Sequence, residues 1–354
     1  MTDAAGDSAG ARVGVVLIGR NEGARLVAAL GGLLSLTSCR SNDLLSDGGT
    51  DGGVVHPADS GSTDASCAEA RARGAEVVDL DMSRPFSAAR ARNAGFERLT
   101  ERWPDVELVQ FLDGDMVLAP GWIDRAVALF DARPEVVAVC GHRRERFPEQ
   151  SVYNRLCDVE WRIGAPGETT AFGGDVMMRV AALEAVGGYD PRVIAAEDDE
   201  LGVRLRAAGG VLYRLDAPSA WHDADMHHFT QWWQRAKRAG HAYAQVAALH
   251  GEGPERYFTG EVRRVWLWGL GVPAVALGLA APTLGLSLGL LGLYPAQVAR
   301  IARRTRRQGF TREESIAWAL SCTAGKLPEL TGLLRYHYDR ARGHDPLIIE
   351  HKRP

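Results

Sequence analysis

The chain has 354 residues, 46% of them hydrophobic and 24% charged. That is enough to bury a large core in one domain with an appendage, or in two domains. The formal net charge of −4 gives no whole-chain electrostatic basis for nucleic-acid binding. The five cysteines, Cys39, Cys67, Cys140, Cys157 and Cys322, are odd in number, widely spaced and without a Cys-x-x-Cys pair. This argues against a disulfide framework or a structural zinc site and fits a reducing compartment.

In chain order, residues 1–10 are small, polar and acidic, without the basic start and apolar run of a secretory signal, and read as a disordered leader. Residues 13–18 form a continuous apolar run, as in a strand buried on both faces. Gly19-Arg20-Asn21-Glu22-Gly23 breaks it, and 24–34 is helical. The polar, glycine-rich segment 35–53 reads as a loop. A short strand runs from 54 to 59, although His56 and Pro57 interrupt it and a proline removes a ladder hydrogen bond. A helix at 65–74 closes on a glycine cap. A strand follows at 75–80, a helix at 87–99, a strand at 106–112, a helix at 122–132 and a strand at 136–140. Strands alternating with helices predict an α/β sandwich with a mostly parallel sheet. Further on, 171–178 reads as a strand, 180–186 and 197–208 as helices, 211–215 as a strand and 229–249 as a long helix.

The character changes after Arg264. Val265 to Ala299 is a stretch of 35 residues without a charged side chain, interrupted by Pro273, Pro282 and Pro295. A spanning helix needs ~20 apolar residues, so this stretch is long for one span and short for two. Arg263 and Arg264 precede it; Arg300, Arg303, Arg304, Arg306 and Arg307 follow. The positive-inside rule then keeps both ends in the cytoplasm. A tight hairpin or re-entrant pair at the membrane meets that condition; the alternative is a hairpin buried in a soluble domain. The weaker apolar stretch 316–334, with Lys326 and Glu329, suits an interface.

Three acidic groups carry chemistry. Asp113-Gly114-Asp115 ends a strand, where two carboxylates spaced i, i+2 can reach a hard divalent cation and where open α/β sheets bind ligands. A turn with two solvated aspartates has the same pattern. Asp59 ends the strand at 54–59, and Ser60 to Asp64 form a tight turn that either supports a nucleoside or caps a helix. Ser46-Asp47-Gly48-Gly49-Thr50-Asp51-Gly52 offers a similar motif earlier, but only Asp59 is followed by a helix and then a strand. Glu197-Asp198-Asp199-Glu200 opens a helix. Four acids exceed what the helix dipole requires, and one of them can serve as a general base.

The order of these signals is specific. Asn21-Glu22 after strand one is followed by Asp59-x-Gly61-Ser62-Thr63-Asp64, Ala91-Arg92-Asn93-x-Gly95, Asp113-x-Asp115, Gly173-Gly174-Asp175 and Glu197-Asp198-x-Glu200-Leu201. This series resembles the family 2 glycosyltransferases and their GT-A fold over residues 13–250. The resemblance implies a catalytic domain at 11–250; the apolar run and its basic flanks make 251–354 a C-terminal helical, membrane-associated region with an apolar hairpin at about 265–299. It implies that Asp59, Glu22 and Arg20 contact the nucleoside and that Arg92 and Asn93 lie near the nucleotide. Asp113 would meet ribose or metal, and Asp115 would ligate the metal, Mn²⁺ or Mg²⁺. Gly173, Gly174, Asp175 and Glu197 would line the donor-sugar and acceptor side, and Asp198 would be the base of an inverting transfer. His222, in Trp221-His222-Asp223, matches a histidine that joins the metal site in many such enzymes.

Gln231-Trp232-Trp233-Gln234-Arg235 resembles the Gln-x-x-Arg-Trp motif of processive synthases, but no tryptophan follows Arg235, which points to nonprocessive transfer. Trp232 and Trp233 either stack on an acceptor or pack. The expected partners are a UDP- or GDP-sugar, a glycan or lipid-linked acceptor and membrane lipid, at the cytoplasmic face of the membrane. Two other readings are a sugar-nucleotide nucleotidyltransferase and a noncatalytic scaffold of the same fold. Arg20-Asn21-Glu22-Gly23 is not the glycine-rich phosphate loop of the first, and Asp113, Asp115 and Asp198 argue against the second.

Overall fold

The computed structural model describes residues 12–37, 55–59, 62, 64–81 and 83–344. In chain order its elements are β1 (Val13–Gly19), α1 (Ala24–Thr37), β2 (Val55–Asp59), α2 (Ser66–Ala72), β3 (Val78–Asp79), α3 (Ala88–Arg102), β4 (Leu108–Asp113), β5 (Met116–Leu118), α4 (Trp122–Ala132), β6 (Val136–Glu145), α5 (Val152–Arg162) and β7 (Gly167–Glu168). There follow β8 (Met177–Arg179), α6 (Val180–Ala185), α7 (Glu197–Ala207), β9 (Val211–His222), α8 (Phe229–His250), α9 (Thr259–Val265), α10 (Val272–Gly278), α11 (Leu293–Arg307), α12 (Arg312–Ala324) and α13 (Lys326–Arg342). The chain divides into two compact units. One comprises Met1–Arg144, Ala165–Pro191 and Leu201–Asp223; the other comprises Glu145–Gly164, Arg192–Glu200 and Ala224–Pro354.

The first unit is a three-layer α/β sandwich. Its mixed sheet runs β3-β2-β1-β4-β8-β6-β9-β5, with β7 paired to β9. The β3-β2-β1-β4 stretch is parallel, and β8 joins β4 antiparallel. Side chains of β1 alternate between the two layers, as the strand period of two demands. Val13, Val15 and Leu17 pack with Leu26, Leu30, Trp122 and Phe130 of α1 and α4. Val16 and Ile18 pack with Phe96 and Leu99 of α3 and Leu201 and Leu205 of α7. A side chain at Gly14 would strike Leu99, its Cβ coming within 2.5 Å of the leucine methyls, so glycine lets α3 sit close to the sheet. The buried Trp122 indole is satisfied by Gln110 Oε1 at 2.8 Å.

Pro57 sits in β2 without breaking it. The ladder to β3 involves only Ala58 and Asp59, so the missing N–H falls outside the pairing on that side. The strand expected at 75–80 is only Val78–Asp79. The strand expected at 171–178 is also corrected: only Met177–Arg179 is extended, because Gly174 and Asp175 form a turn. The strand expected at 211–215 runs on to His222. The helix expected to end at 34 continues to Thr37. The remainder of the loop at 38–53, with the Asp47 motif, lies outside the described residues, as does the leader at 1–10.

The second unit is helical. α8 and α13 pack through reciprocal glycines: a Cβ on Gly240 would collide with the Glu329 backbone, and one on Gly332 with the Lys237 carbonyl. Ala244, Val265, Leu330 and Leu333 form a core beside this crossing. Cys157, Ala224 and Met226 form another, against which Tyr153, Trp161 and Trp232 pack. Among the described residues no helix is long and apolar enough to cross a membrane. The 265–299 stretch is instead broken into a π-helical turn at Trp266–Gly271, α10, a 3-10 segment at Leu286–Gly292 and the start of α11.

Candidate active site

The parallel register aligns three chain positions on one sheet edge. Gly19 pairs with Asp59, and Ile18 pairs with Asp113. The C-terminal ends of β2, β1 and β4 therefore lie side by side, where an open α/β sheet receives its ligand. Asp59 closes β2; its side chain lies outside the described set. The loop after β1 is tied to Ser62 and to the first residue of α2. Asn21 N donates to Ser62 Oγ at 2.9 Å, and Gly23 N to Ser66 Oγ at 3.0 Å. Asn21 and Gly23 both adopt left-handed backbone, with φ of 55° and 51°, a conformation that asparagine and glycine tolerate best. Asp64 accepts from Ser66 N at 3.0 Å, and the Ser66 hydroxyl holds its carboxyl below the usual range. Arg20 is half-buried at the end of β1, and Glu22 pairs with Arg25 at 3.0 Å.

Asp113 and Arg92 form one fixture. Arg92 is 2% exposed, and its Nη2 lies 2.8 Å from Asp113 Oδ1. Its guanidinium also sits over the Tyr189 ring, 5.3 Å from the centroid. Asn93 clips the backbone of that tyrosine with two hydrogen bonds of 2.8 Å, donating from Nδ2 to Tyr189 O and accepting at Oδ1 from Tyr189 N. A Cβ on Gly174 would lie 2.5 Å from Asp113 Oδ2 and 2.6 Å from Arg92 Nη2. Glycine at 174 is what leaves room for the ion pair.

Gly114 turns the chain between β4 and β5, its N–H donating to Ile18 O at 2.6 Å. Asp115 follows, buried, with Oδ2 3.2 Å from His222 Nε2. The β5–β9 ladder sets this distance: Met116 pairs with His222, and Asp223 N donates to Asp115 O at 3.0 Å. An acid and an imidazole on paired strands suit a divalent cation. Among the described residues no group of three or more His, Cys, Asp or Glu side chains is placed to hold a metal alone. Asp115 and His222 could supply two ligands to a divalent cation, the rest coming from substrate phosphate oxygens and water.

Asp175 is turned away from any exposed role. Arg143 pairs with it through Nε at 3.1 Å and through Nη2, and the Ser219 hydroxyl donates at 2.5 Å. Burial pushes this carboxyl up, but Arg143 and Ser219 outweigh it and hold it below the usual range. A side chain at Gly173 would collide with the Arg143 guanidinium. The sequence pattern does not single out Arg143, Tyr189 or Ser219. They lie far along the chain from what they hold, and only the fold brings them in.

In the second unit, α7 opens with the acidic run. Ala196 before it has φ 58°, left-handed for a residue with a side chain, a conformation that clusters at functional positions. Glu197 and Glu200 are buried and Asp198 is half-buried. Glu200 lies 2.9 Å from His250 Nε2, and Asp199 accepts from the Tyr257 hydroxyl at 2.7 Å. Trp232 donates its indole N–H to Ser321 Oγ at 2.9 Å. Trp233 lies against Phe229, with centroids 5.8 Å apart. Arg235 grips Glu160 with two hydrogen bonds of 2.7 and 3.0 Å.

The sheet order and the sheet-edge site define the GT-A class of glycosyltransferase folds. Residues 55–187 match the model of glycosyl transferase family 2. A comparison with curated proteins returned no match. Among solved structures, the mannosyltransferase PcManGT from Pyrobaculum calidifontis, in complex with GDP-Man and Mn²⁺, is similar with a TM-score of 0.62 at 19% identity, over 94% of this chain and 88% of that one. S. aureus TarS 1-349 in complex with UDP is similar with a TM-score of 0.50 at 13% identity, over 94% of this chain and 92% of that one. At such identities the likeness is one of fold. The family 2 match is confined to residues 55–187, the fold is GT-A, and the chain is an enzyme of the glycosyltransferase class.

Proposed function

We propose that this enzyme moves a sugar, with inversion and without processivity, from a UDP- or GDP-sugar to a hydroxyl of a glycan or lipid-linked acceptor at the cytoplasmic face of the membrane. The observation that carries the reading is the alignment of Gly19, Asp59 and Asp113 on one sheet edge, with the Asp115–His222 pair following it. The solved structures of similar fold were determined with GDP-Man and Mn²⁺ and with UDP, which supports a nucleoside diphosphate at this edge. Asp59, Arg20 and Glu22 receive the nucleoside, Asp113 the ribose, and Arg92 holds Asp113 in place. Asn93 acts through the Tyr189 backbone.

Asp115 and His222 hold Mn²⁺ or Mg²⁺, which when bound neutralises charge on the departing diphosphate. Asp198 takes the proton of the acceptor hydroxyl. The freed oxygen bonds to the anomeric carbon from the face opposite the leaving group, and the bond from that carbon to the diphosphate oxygen breaks. One displacement inverts the configuration. Gly173 and Gly174 are assigned to the donor sugar, and Glu197, Trp232 and Trp233 to the acceptor.

The test is a thermal-shift screen of UDP, GDP, dTDP and CMP, each with and without Mn²⁺. A ligand that binds only the folded state raises Tm by mass action. Stabilisation by UDP or GDP that requires metal supports the reading and names the base. A folded sample that responds to no nucleotide overturns it in favour of a scaffold.

A further inference from the structure

We infer that the hairpin from Gly271 to Leu293 is a shallow membrane anchor that enters one leaflet of an anionic lipid surface, with the arginines of α11 set at the phosphate level; it rests on the membrane-proximal acceptor read above. Its two short legs are α10 and the 3-10 segment Leu286–Gly292. Leu284 at its turn is 96% exposed and Leu286 is 85% exposed. Leu277, Leu279, Leu288, Leu290, Leu291 and Leu293 are also exposed. A soluble surface rarely gathers so many adjoining leucines.

The two side-chain hydroxyls of the hairpin, Thr283 and Ser287, and its turn are hydrogen-bonded from within it. Ser287 Oγ donates to Ala276 O at 2.7 Å, joining the legs, and Thr283 Oγ1 donates to Leu279 O at 2.6 Å. At the turn Gly285 N donates to Ala280 O at 2.7 Å and Leu286 N to Thr283 O at 3.0 Å. Backbone in hydrocarbon must be paired internally, because no water is there to replace a missing partner. Gly285, with φ 88°, supplies the tight reversal.

Length limits the depth. The seven-residue α10 rises about 10 Å, and the seven-residue 3-10 segment about 14 Å. The hydrocarbon core is about 30 Å thick, so the tip reaches no further than one leaflet. At the base, Trp268 and Tyr294 meet edge to face with centroids 5.6 Å apart, and the Tyr294 hydroxyl donates to Trp268 O. Such rings favour the headgroup boundary.

Charge selects the partner. No acidic residue occurs from Val265 through Arg312. Arg300, Arg303, Arg304 and Arg307 are exposed, and their i, i+3, i+4, i+7 spacing puts them on one face of α11. Among the described residues none of these four is in an ion pair. An apolar tip beside a one-signed basic face complements acyl chains beneath anionic phosphates.

The full chain is floated with phosphatidylcholine vesicles and with vesicles containing about one-third phosphatidylglycerol, at low and high salt. Binding to the anionic vesicles is expected to exceed binding to the neutral ones and to weaken with salt. The Leu284→Asp/Leu286→Asp variant is expected to lose it. The Arg300→Gln/Arg303→Gln/Arg304→Gln/Arg307→Gln variant is expected to bind anionic vesicles on the order of 1,000-fold more weakly. Circular dichroism confirms that both variants fold. Equal, salt-insensitive binding to both vesicle types overturns the anionic-surface inference and leaves the membrane-proximal acceptor standing. No binding to either overturns both. A dimer in sedimentation that the leucine variant dissolves overturns the inference in favour of a second copy of the chain.

Discussion

His222 Nε2 lies 3.2 Å from Asp115 Oδ2, held there by two strands that pair Met116 with His222. The strand register, and not the side chains, fixes this distance. Either side chain can therefore be replaced while the backbone that positions it stays paired.

Asp115→Ala and His222→Ala are each expected to lower metal-dependent donor hydrolysis on the order of 100-fold or more, since even the outer partners of a metal site cost 10- to 100-fold. Both variants should retain the far-ultraviolet spectrum of the wild type. Titration with Mn²⁺ in the presence of the nucleoside diphosphate reads the effect directly. Unchanged hydrolysis in Asp115→Ala would remove the metal assignment.

Gly174→Ala tests the Arg92–Asp113 fixture without touching a charge. The backbone at 174 is not left-handed, so only space forbids a side chain, and the new Cβ would arrive within 2.5 Å of Asp113 Oδ2. Overpacking of this kind costs about 1–3 kcal/mol. The expected result is a lower Tm and a nucleotide Kd raised by roughly tenfold. Calorimetric titration with UDP and GDP measures it, and a variant that binds like wild type would show that Asp113 does not hold the nucleotide.

Asp198→Asn and Asp199→Asn separate a base from a structural acid in the same helical turn. Asp199 accepts from Tyr257, so its substitution should lower Tm with little change in kcat. Asp198→Asn should lower kcat of sugar transfer by about 10²–10⁴, the usual contribution of a general base, while the Kd for donor nucleotide stays put. Transfer at the wild-type rate by Asp198→Asn would put the base elsewhere.

Much of this site was legible because each motif follows a strand whose apolar run is unmistakable. Residues 13–18 and 106–112 announce themselves, and the polar residues after them are then at a sheet edge by necessity. β9 was legible only in its first half: Asp216 and Pro218 break the pattern, so His222 read as following the strand when it ends it. The turn at Gly174 and Asp175 was misread as strand because the apolar residues on both sides hid the space that Arg92, Asp113 and Arg143 occupy. α5 was missed, although Ser151 accepts from Asn154 N as its cap. The pairs Arg92–Tyr189 and Asp175–Arg143 join positions that no local pattern connects. The hairpin at 265–299 was visible as apolar, but whether its leucines face protein or surroundings is a property of packing alone.

His241 carries a stability dependence on pH that can be isolated. Its side chain is 1% exposed, meets the Tyr336 ring edge to face, and has a buried Nδ1 without a hydrogen bond. Burial pushes its pKa down from 6.5 to about 4, with Arg335 adding to the fall and Asp339 opposing it. The folded pKa lies below the unfolded one, so the stabilisation is complete above about pH 6.5 and is lost as pH falls towards 4. The full effect is about 3 kcal/mol, of which about 2 kcal/mol should be gone at pH 5. Urea unfolding at pH 7.5 and pH 5 reads this difference. His241→Gln removes the titration, so between these pH values the variant should lose about 2 kcal/mol less than wild type. All other titrating groups contribute equally to both proteins. Parallel losses in the two would mean that His241 is not held neutral in the folded chain.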